Sequence, residues 1–391
     1  MTTENSINQK NFDNIKCFFL DGIKTKDNQK LGVEVEHFIC TKNGQSVSFD
    51  GEQGVESLLQ KLATHYIDKS YSNGRLVGLA RPYCTISIEP AAQIEASLGE
   101  FENVGCLIAE YQKFLDECKA ILDEWGQELI TQGYHPHSQA DDLTLIPKQR
   151  YYIMDSHFRN CGGTGVNMMR ASAATQVSID YTSEQDYKNK FRLANVLTPL
   201  LAFIFDNTKV YQNNPAKPLT RFTIWNNLEG TTSSNRTGFV ADCFLDSVGF
   251  DAYAQYLLDS KPLFYYNDND EVVFTDDKTV AEIFANKELR HKDIVHIMSM
   301  VFPFVRLKNY IEIRMADSMP IEWVKEYLQV IKGIFYNEQN LTKLLNLTKT
   351  VTLSQANEAW SVLTKDRCQA LVYGKTAKEW GELILSMKAE N

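Results

Sequence analysis

The chain has 391 residues and lacks the features that define several common protein classes. None of its eight cysteines forms a Cys-x-x-Cys pair, which argues against a zinc finger or a thioredoxin-like redox site. The most apolar stretch, 196–205, is too short to span a membrane and contains Pro199. The early apolar run 17–20 is too short for a signal sequence. Scattered thiols are typical of a reducing compartment, so we expect a cytoplasmic protein without a membrane partner.

The chain also lacks an excess of basic residues. It carries 50 acidic and 40 basic side chains, a formal net charge of −10, which argues against nucleic acid as a partner. Hydrophobic residues make up 43% and aromatic residues 11%, enough for a sizeable core. No internal repeat, low-complexity tract or flexible linker is found. We therefore predict one domain over 1–391, with a loose N-terminal lead-in at 1–30 and a helical C-terminal portion at 321–391.

Strand-like and helix-like segments alternate along the chain, which predicts an α+β fold with a largely antiparallel sheet. The predicted strands are 32–39, 74–80, 83–89 and 175–181. The predicted helices before the C-terminal portion are 54–68, 101–133 and one that begins at a Thr182–Gln185 capping box. Pro199 kinks or ends that helix. Thr352 and Thr376 give further capping signals in the C-terminal portion.

Acidic side chains alternate with apolar ones in three segments. In a strand, residues i and i+2 point to the same face, so Glu34 and Glu36 share a face and Glu312 lies beside Arg314. The residues between them are apolar, which favours packed strands over solvated edges. The segments are 31–38, 86–95 and 310–314.

Carboxylates on the inner face of a sheet are costly unless cations compensate them. Mg²⁺ and Mn²⁺ prefer oxygen ligands of this kind, and an interleaved arginine suits phosphate. The pattern therefore predicts a metal–nucleotide site. The alternative for any single Glu-x-Glu is a pair of acids that simply face water.

Further arginines lie near the acidic segments. Arg306 and Lys308 precede the strand with Glu312, and inward-facing arginines such as Arg221 and Arg236 would suit an anionic substrate. Surface ion pairs are the alternative for each of them. The glycine-rich segment 160–166 lacks the Gly-Lys-Ser/Thr of a P-loop, so we interpret it as a loop beside the site.

The motifs occur in the same order as in a known family. From the first acidic strand onward the chain resembles the glutamate–cysteine ligases of the plant and bacterial type. The motifs that carry the resemblance are 32–38, 88–95, 146–154, 168–170, 175–181, 224–225, 236–238, Phe250 with the residues just after it, 302–314 and 316–317.

The resemblance implies a glutamine-synthetase-like catalytic fold, a curved antiparallel sheet funnel backed by long helices. It also implies that ATP phosphorylates the side-chain carboxylate of glutamate and that the amine of cysteine then attacks. The products would be γ-glutamylcysteine, ADP and phosphate, in the first step of glutathione synthesis. ATP and Mg²⁺ (or Mn²⁺) are the implied cofactors, and glutamate and cysteine the implied substrates.

The resemblance also assigns roles to individual residues. Arg314 and Arg306 are the implied catalytic residues, with Arg314 holding the transferring phosphoryl group. Gln176, Arg221 and Arg236 are the implied substrate-binding residues, and His296, Ser299 and Lys308 are implied to approach the nucleotide. The implied metal ligands are Glu34, Glu36, Glu89, Glu95 and Glu312.

Two segments depart from the family pattern. The chain has Ala91-Ala92 where the family usually has two glycines. Its loop 226–235 is longer and less acidic than the Asp-containing loop of the family. Both changes lie where the amine substrate would sit. Two alternatives therefore stay open: a γ-glutamyl ligase that uses another amino acid or small amine, and a non-catalytic homologue that binds a nucleotide or a protein partner. The oligomeric state is not predicted.

Overall fold

The structure is a computed structural model that describes residues 3–230, 236–245 and 247–390. The helices are α1 (Thr3–Leu20), α2 (Val55–Leu62), α3 (Val104–Glu124), α4 (Gln149–Cys161), α5 (Gly165–Ala171), α6 (Glu184–Ile204), α7 (Thr220–Trp225), α8 (Phe250–Asp259), α9 (Val280–Ile283), α10 (His291–Met298), α11 (Ile321–Phe335), α12 (Glu338–Thr348), α13 (Leu353–Asp366) and α14 (Ala377–Leu385).

The strands fall into one large sheet and several short two-stranded pairs. They are β1 (Leu31–Thr41), β2 (Asp68–Ser72), β3 (Arg75–Arg81), β4 (Cys84–Ile88), β5 (Ile94–Phe101), β6 (Gln127–Ile130), β7 (Ala174–Ile179), β8 (Val210–Tyr211), β9 (Asn214–Pro215), β10 (Thr237–Gly238), β11 (Phe264–Tyr266), β12 (Val272–Phe274), β13 (Phe302–Pro303), β14 (Val305–Leu307), β15 (Ile311–Asp317), β16 (Leu371–Val372) and β17 (Lys375–Thr376).

The large sheet is antiparallel throughout, with the order β14-β15-β7-β1-β5-β4-β3-β2, and β6 pairs with the far end of β1. Residues alternate between its two faces: Val33 and Val35 on β1 are buried in the core, while Glu34 and Glu36 point to the opposite face. Helices α3, α6 and α11 pack against the sheet. The predicted α+β class with an antiparallel sheet is confirmed.

Helix α3 is shorter than the predicted helix over 101–133. It begins at an N-cap, Asn103, whose side chain accepts a hydrogen bond from the backbone N–H of Cys106, and it ends at Glu124. Gly126 then takes a left-handed conformation (φ +66°), and residues 127–130 pair with β1 as strand β6. Leu129 and Ile130 therefore belong to a strand at the edge of the sheet. Helical periodicity alone does not distinguish such a short strand from one more turn of the preceding helix.

The expectation of a loose lead-in at 1–30 is corrected for residues 3–20, which form helix α1. Ile15 and Phe19 on its inner face are fully buried. The ring of Phe19 contacts Phe250 and Tyr253 on α8, with centroid distances of 5.9 and 5.7 Å. Long-range packing therefore orders a segment whose composition is largely polar.

Helix α6 begins one residue later than the predicted Thr182–Gln185 capping box. Ser183 is the N-cap, and its side chain accepts a hydrogen bond from the N–H of Asp186. Thr182 instead donates its hydroxyl to the Asp186 carboxylate at 3.1 Å. Pro199 does not end the helix, which continues to Ile204.

The C-terminal portion is helical as predicted, from α11 to α14, with the short hairpin β16–β17 inserted before the last helix. Thr352 and Thr376 are the N-caps of α13 and α14 and form capping boxes with Gln355 and Glu379. No helix in the described part of the chain is both long and apolar enough to cross a membrane.

Candidate active site

The polar face of the sheet brings the predicted acidic strands together. Strand β7 lies between β15 and β1, so Glu312 pairs with Ser178 and Glu34 pairs with Gln176. On the other side of β1, Glu36 lies opposite Glu95 of β5. The antiparallel register therefore aligns side chains that are 59 to 142 residues apart in sequence.

These side chains line a cavity of about 250 Å³, here called the acidic cavity. It contains four of the five predicted metal ligands, both predicted catalytic arginines and Gln176. The polar residues that line it include Glu34, Glu36, Glu89, Glu95, Arg150, Gln176, Trp225, Ser299, Arg306 and Arg314.

The pKa values of the four glutamates of the acidic cavity are all raised above the ordinary value. Burial, followed by repulsion from Glu95 and Glu312, raises the pKa of Glu34 to about 8. Burial and the nearby Glu89 carboxylate raise the pKa of Glu95 to about 7. The same causes raise the pKa of Glu36, and burial raises that of Glu89. Within the described part of the chain, none of the four forms a salt bridge.

Glu312 is in the opposite electrostatic situation. Burial alone would raise the pKa of its carboxyl, but three neighbouring cations hold that pKa well below its usual range. The Arg306 guanidinium lies 2.8 Å and the Lys308 ammonium 2.7 Å from its oxygens, and Arg314 donates to it as well. Glu312 therefore fixes both arginines at the cavity wall.

Trp225, at the end of α7, makes a cation–π contact with Arg314. The Arg314 guanidinium lies 5.3 Å from the centre of the indole ring, and that of Arg221 lies 5.2 Å from it. Arg221 itself is buried away from the acidic cavity, where it donates to the carbonyls of Arg314 and Ala316. It braces β15 rather than facing the cavity.

A second cavity of about 300 Å³, here called the aromatic cavity, adjoins the acidic one. Arg150 and Ser299 line both. The His296 ring packs between Phe264 and Tyr266, with centroid distances of 4.9 Å to each, and its Nε2 lies 2.9 Å from the Phe264 carbonyl oxygen. Burial lowers the pKa of His296. The other residues lining this cavity include Tyr265, Phe284, Val295 and Ile297.

A third cavity, of about 260 Å³ and here called the polar cavity, lies on the other side of Glu34. Its polar lining residues include Lys24, Lys30, Arg81, Thr85, Ser97, Ser178, Asp180 and Tyr310. Glu34 lines both this cavity and the acidic one. The three cavities therefore form a row: Glu34 lies between the polar and acidic cavities, and Arg150 and Ser299 lie between the acidic and aromatic cavities.

Arg236 lies outside this row of cavities. Its guanidinium donates to the Glu229 carboxylate and to the Lys261 carbonyl. The predicted substrate-binding role of Arg236 thus has no support from its position, whereas Gln176 lies on the cavity wall and donates to Glu36 at 3.2 Å.

Comparison with protein-family models now identifies the family. Residues 30–383 match the model described as glutamate-cysteine ligase family 2. The chain belongs to this family.

Named members are the chloroplastic glutamate–cysteine ligases of plants. The chain is 30% identical to the Arabidopsis thaliana protein over 346 residues, which cover 86% of this chain and 65% of that protein. It is 29% identical to ligase A of Oryza sativa subsp. japonica over 358 residues, covering 87% and 70%. The chain thus spans about two thirds of the length of the relatives it matches.

The fold is shared with a more distant solved structure, the glutamate–cysteine ligase of Francisella tularensis in complex with AMP. The TM-score is 0.56 at 12% sequence identity, and the superposition covers 93% of this chain and 78% of that one.

The sequence did not single out two residues of this family member's cavities, Arg150 and Trp225. Both lie in segments that carry the family resemblance, but neither alternates with an acidic residue in a strand. Among the residues that the structure describes, the buried Nε of Arg150 and the buried indole Nε1 of Trp225 find no hydrogen-bond partner, and neither do the Nε of Arg314 and the Oε1 of Gln176. Buried polar atoms of this kind indicate a site built for a polar ligand.

The departure at Ala91-Ala92 has a visible backbone consequence. Ala92 has φ +69°, a left-handed conformation that favours glycine. Its N–H donates to the Glu89 carbonyl at 3.1 Å and closes the turn that carries Glu89. Of the second departure, the loop 226–235, residues 231–235 lie outside the described residues.

Proposed function

We propose that the chain is an ATP-dependent carboxylate–amine ligase that joins the side-chain carboxylate of glutamate to the amine of cysteine. One observation carries the proposal: four buried or partly buried glutamates, which form no salt bridge with any described residue, share one cavity with two arginines. Such a cavity is unfavourable when empty and suits divalent cations with a polyphosphate. Membership of the glutamate–cysteine ligase family supports the same reaction.

The row of cavities supports a position for each substrate. The purine would lie among the rings of the aromatic cavity, and the phosphates would extend past Arg150 and Ser299 into the acidic cavity. The amino acids would then enter from the polar cavity, on the other side of Glu34. In this arrangement the γ-phosphate and the glutamate side chain meet at Glu34.

Glu34, Glu36, Glu89 and Glu95 would hold Mg²⁺ or Mn²⁺. Among the described residues, no three of these carboxylates bring oxygens within 4.8 Å of one another. That spacing fits ions held by one or two carboxylates, with phosphate oxygens completing the coordination. When bound, the ions would neutralise charge on the phosphates and on the substrate carboxylate. Glu312, the fifth proposed ligand, would add its charge to the same metal site while it keeps its contacts with Arg306, Lys308 and Arg314.

Two displacements make up the proposed reaction. The glutamate side-chain oxygen attacks the γ-phosphorus and ADP leaves, which gives an acyl phosphate. The cysteine nitrogen then attacks the acyl carbon, loses a proton, and phosphate leaves. Arg314 and Arg306, fixed by Glu312, would stabilise charge on the transferring oxygens. Lys308 would add charge near the nucleotide.

We also propose the finer features that the family resemblance implies. The polar face of the sheet would form a glutamine-synthetase-like funnel, and 1–391 would act as a single catalytic domain. The cytoplasm is the proposed location.

A coupled assay of ADP release, with mass detection of products, tests the ligase reaction. We expect turnover that needs ATP, a divalent cation, glutamate and cysteine together. Glu34→Gln should abolish it, whereas Glu128→Gln, at an exposed position on β6 of the same sheet, should leave it intact. Equal turnover in both variants would favour a non-catalytic homologue with a contaminating activity.

A second candidate, a γ-glutamyl ligase with another amine, rests on the left-handed Ala92 where the family usually has glycine. An added methyl group here alters the turn that carries Glu89. A screen of amino acids and small amines under the same assay separates the two candidates. If cysteine exceeds every other amine by a wide margin, the second candidate is rejected.

A further inference from the structure

We propose that His157, Cys161 and Glu229 form a second metal site, for a transition-metal ion of the Zn²⁺ class. It is distinct from the acidic cavity. The imidazole nitrogen, the thiol sulfur and a carboxylate oxygen all lie within 4.8 Å of one another. His157 Nε2 is 2.6 Å from Glu229 Oε1 and 3.4 Å from Cys161 Sγ. Small side-chain shifts would place one ion between the three atoms at the usual bond lengths of about 2.0–2.3 Å.

Two separate segments of the chain supply these three donor atoms. His157 and Cys161 are four residues apart on α4, so they lie on one face of the helix. Glu229 comes from the turn after α7, which is docked onto the start of α5. There the N–H groups of Thr164 and Gly165 donate to carbonyls of that turn at 2.8 and 3.0 Å.

The donor chemistry selects a different ion from that of the acidic cavity. Nitrogen, thiolate and carboxylate ligands suit Zn²⁺, whereas Mg²⁺ and Mn²⁺ prefer oxygen alone. Three protein ligands leave a fourth position open. His157 keeps a quarter of its side chain exposed and lines a surface cavity beside Tyr152, Asn160 and Phe274, which gives the ion a path from solvent.

The guanidinium of Arg236 would compete with a metal ion for the Glu229 carboxylate. This guanidinium donates to Glu229 and lies 3.3 Å from His157 Nε2, so it supplies positive charge when no ion is bound. A metal ion would take over that role at Glu229. Glu229 would therefore bind either the Arg236 guanidinium or the metal ion. The experiment below distinguishes a metal site from a cluster that holds the arginine alone.

A bound ion would also join two elements of the proposed active site. Helix α4 begins beside Arg150 and α7 ends at Trp225, and both residues line the acidic cavity. The ion would tie the far end of α4 to the turn that follows Trp225. We therefore expect Zn²⁺ to raise the Tm of the protein.

The test is a calorimetric titration of the chelator-treated full chain with Zn²⁺, in the presence of excess Mg²⁺ to occupy the acidic cavity. We expect one equivalent of tight binding, which Cys161→Ser and His157→Asn each remove. Cys368→Ser is the matched control at an exposed position and should retain it. Far-ultraviolet circular dichroism confirms that each variant is folded.

Co²⁺ gives an independent readout. Bound at the site, it should show a thiolate charge-transfer band that is present in the wild type and in Cys368→Ser and absent in Cys161→Ser. Zn²⁺ binding that is equal in wild type and Cys161→Ser, or no stoichiometric binding at all, would overturn the metal site. Neither result bears on the ligase assay, which uses Mg²⁺ and the acidic cavity.

Discussion

Glu36 lies directly opposite Glu95 across the antiparallel pair β1–β5. Like charges in such a position repel each other, and burial adds to the cost. The sheet tolerates the pair because Glu36 accepts hydrogen bonds from Ala174 N–H and Gln176, while Ser87 and Ser97 donate to Glu95. The remaining charge has to be removed by protons or by cations.

The metal-free protein should lose stability as the pH rises from about 5 to 8. In the folded state the pKa values of Glu34 and Glu95 are about 8 and about 7, against 4.5 for an ordinary glutamate. The folded state therefore binds more protons than the unfolded state in this window, and its advantage is lost as those protons leave. Thermal unfolding in chelator at several pH values measures this, and a Tm that rises across the window would contradict it.

Two additions sharpen that experiment. Mg²⁺ should raise the Tm more at pH 8 than at pH 6, because its ligands must be deprotonated. Glu34→Gln should raise the metal-free Tm at pH 8 while abolishing turnover. Glu128→Gln is the matched control and should leave the pH dependence unchanged.

Arg314→Ala should lower kcat by about 10²–10³-fold, the loss typical of removing one charge-stabilising donor. Its guanidinium faces the acidic cavity, and Arg306 and Lys308 remain to compensate Glu312, so the fold should survive. Steady-state ADP release at saturating substrates gives kcat. Arg75→Gln is the control, because Arg75 forms ion pairs with Asp50 and Glu56, does not line the acidic cavity and should change kcat little. Comparable losses in both variants would remove Arg314 from the proposed mechanism.

The acidic side of the candidate site could be predicted from sequence because strand alternation fixes which side chains share a face. Glu34, Glu36 and Arg314 follow from that rule alone. Arg150 and Trp225 could not be predicted in this way, since a helix start and a helix end reach the cavity only through tertiary packing. Arg221 and Arg236 show the converse: an arginine near a motif can equally brace a strand or pair with a buried carboxylate.

Ala92→Gly should stabilise the protein relative to the matched Ala91→Gly. Ala92 is in the left-handed region, which costs an L-residue about 1–2 kcal/mol and glycine nothing. Against this, glycine costs about 0.4–1 kcal/mol through the unfolded chain. We expect the free energy of unfolding to rise by up to about 1.5 kcal/mol for Ala92→Gly and to fall by about 0.4–1 kcal/mol for Ala91→Gly. Denaturant unfolding compares the two, and equal changes would contradict the turn conformation.

Local sequence patterns predicted helices and strands more accurately where the stabilising contacts lie within the segment itself. The capping boxes at Thr352 and Thr376 depend on residues three positions apart, and both are present. Strand β6 depends on hydrogen bonds to β1, nearly ninety positions earlier in the sequence, which no local pattern encodes. Helix α1 belongs to the same class, because a polar segment is ordered by its partners.

A substitution at Asn11 tests whether helix α1 is ordered by the residues against which it packs. Asn11 is fully buried on α1, where its amide donates to the carbonyls of Phe284 and Lys287 at 3.2 and 3.0 Å and accepts from Leu289 N–H at 2.8 Å. Asn11→Ala removes these three hydrogen bonds, although the Phe284 carbonyl still accepts one from Lys287 N–H, so it should lower the free energy of unfolding by about 1–3 kcal/mol. Gln9→Ala, on the exposed side of the same helix, should change it by less than about 0.5 kcal/mol. Urea unfolding measures both, and if Asn11→Ala unfolds at the wild-type midpoint, α1 does not dock on the domain as described.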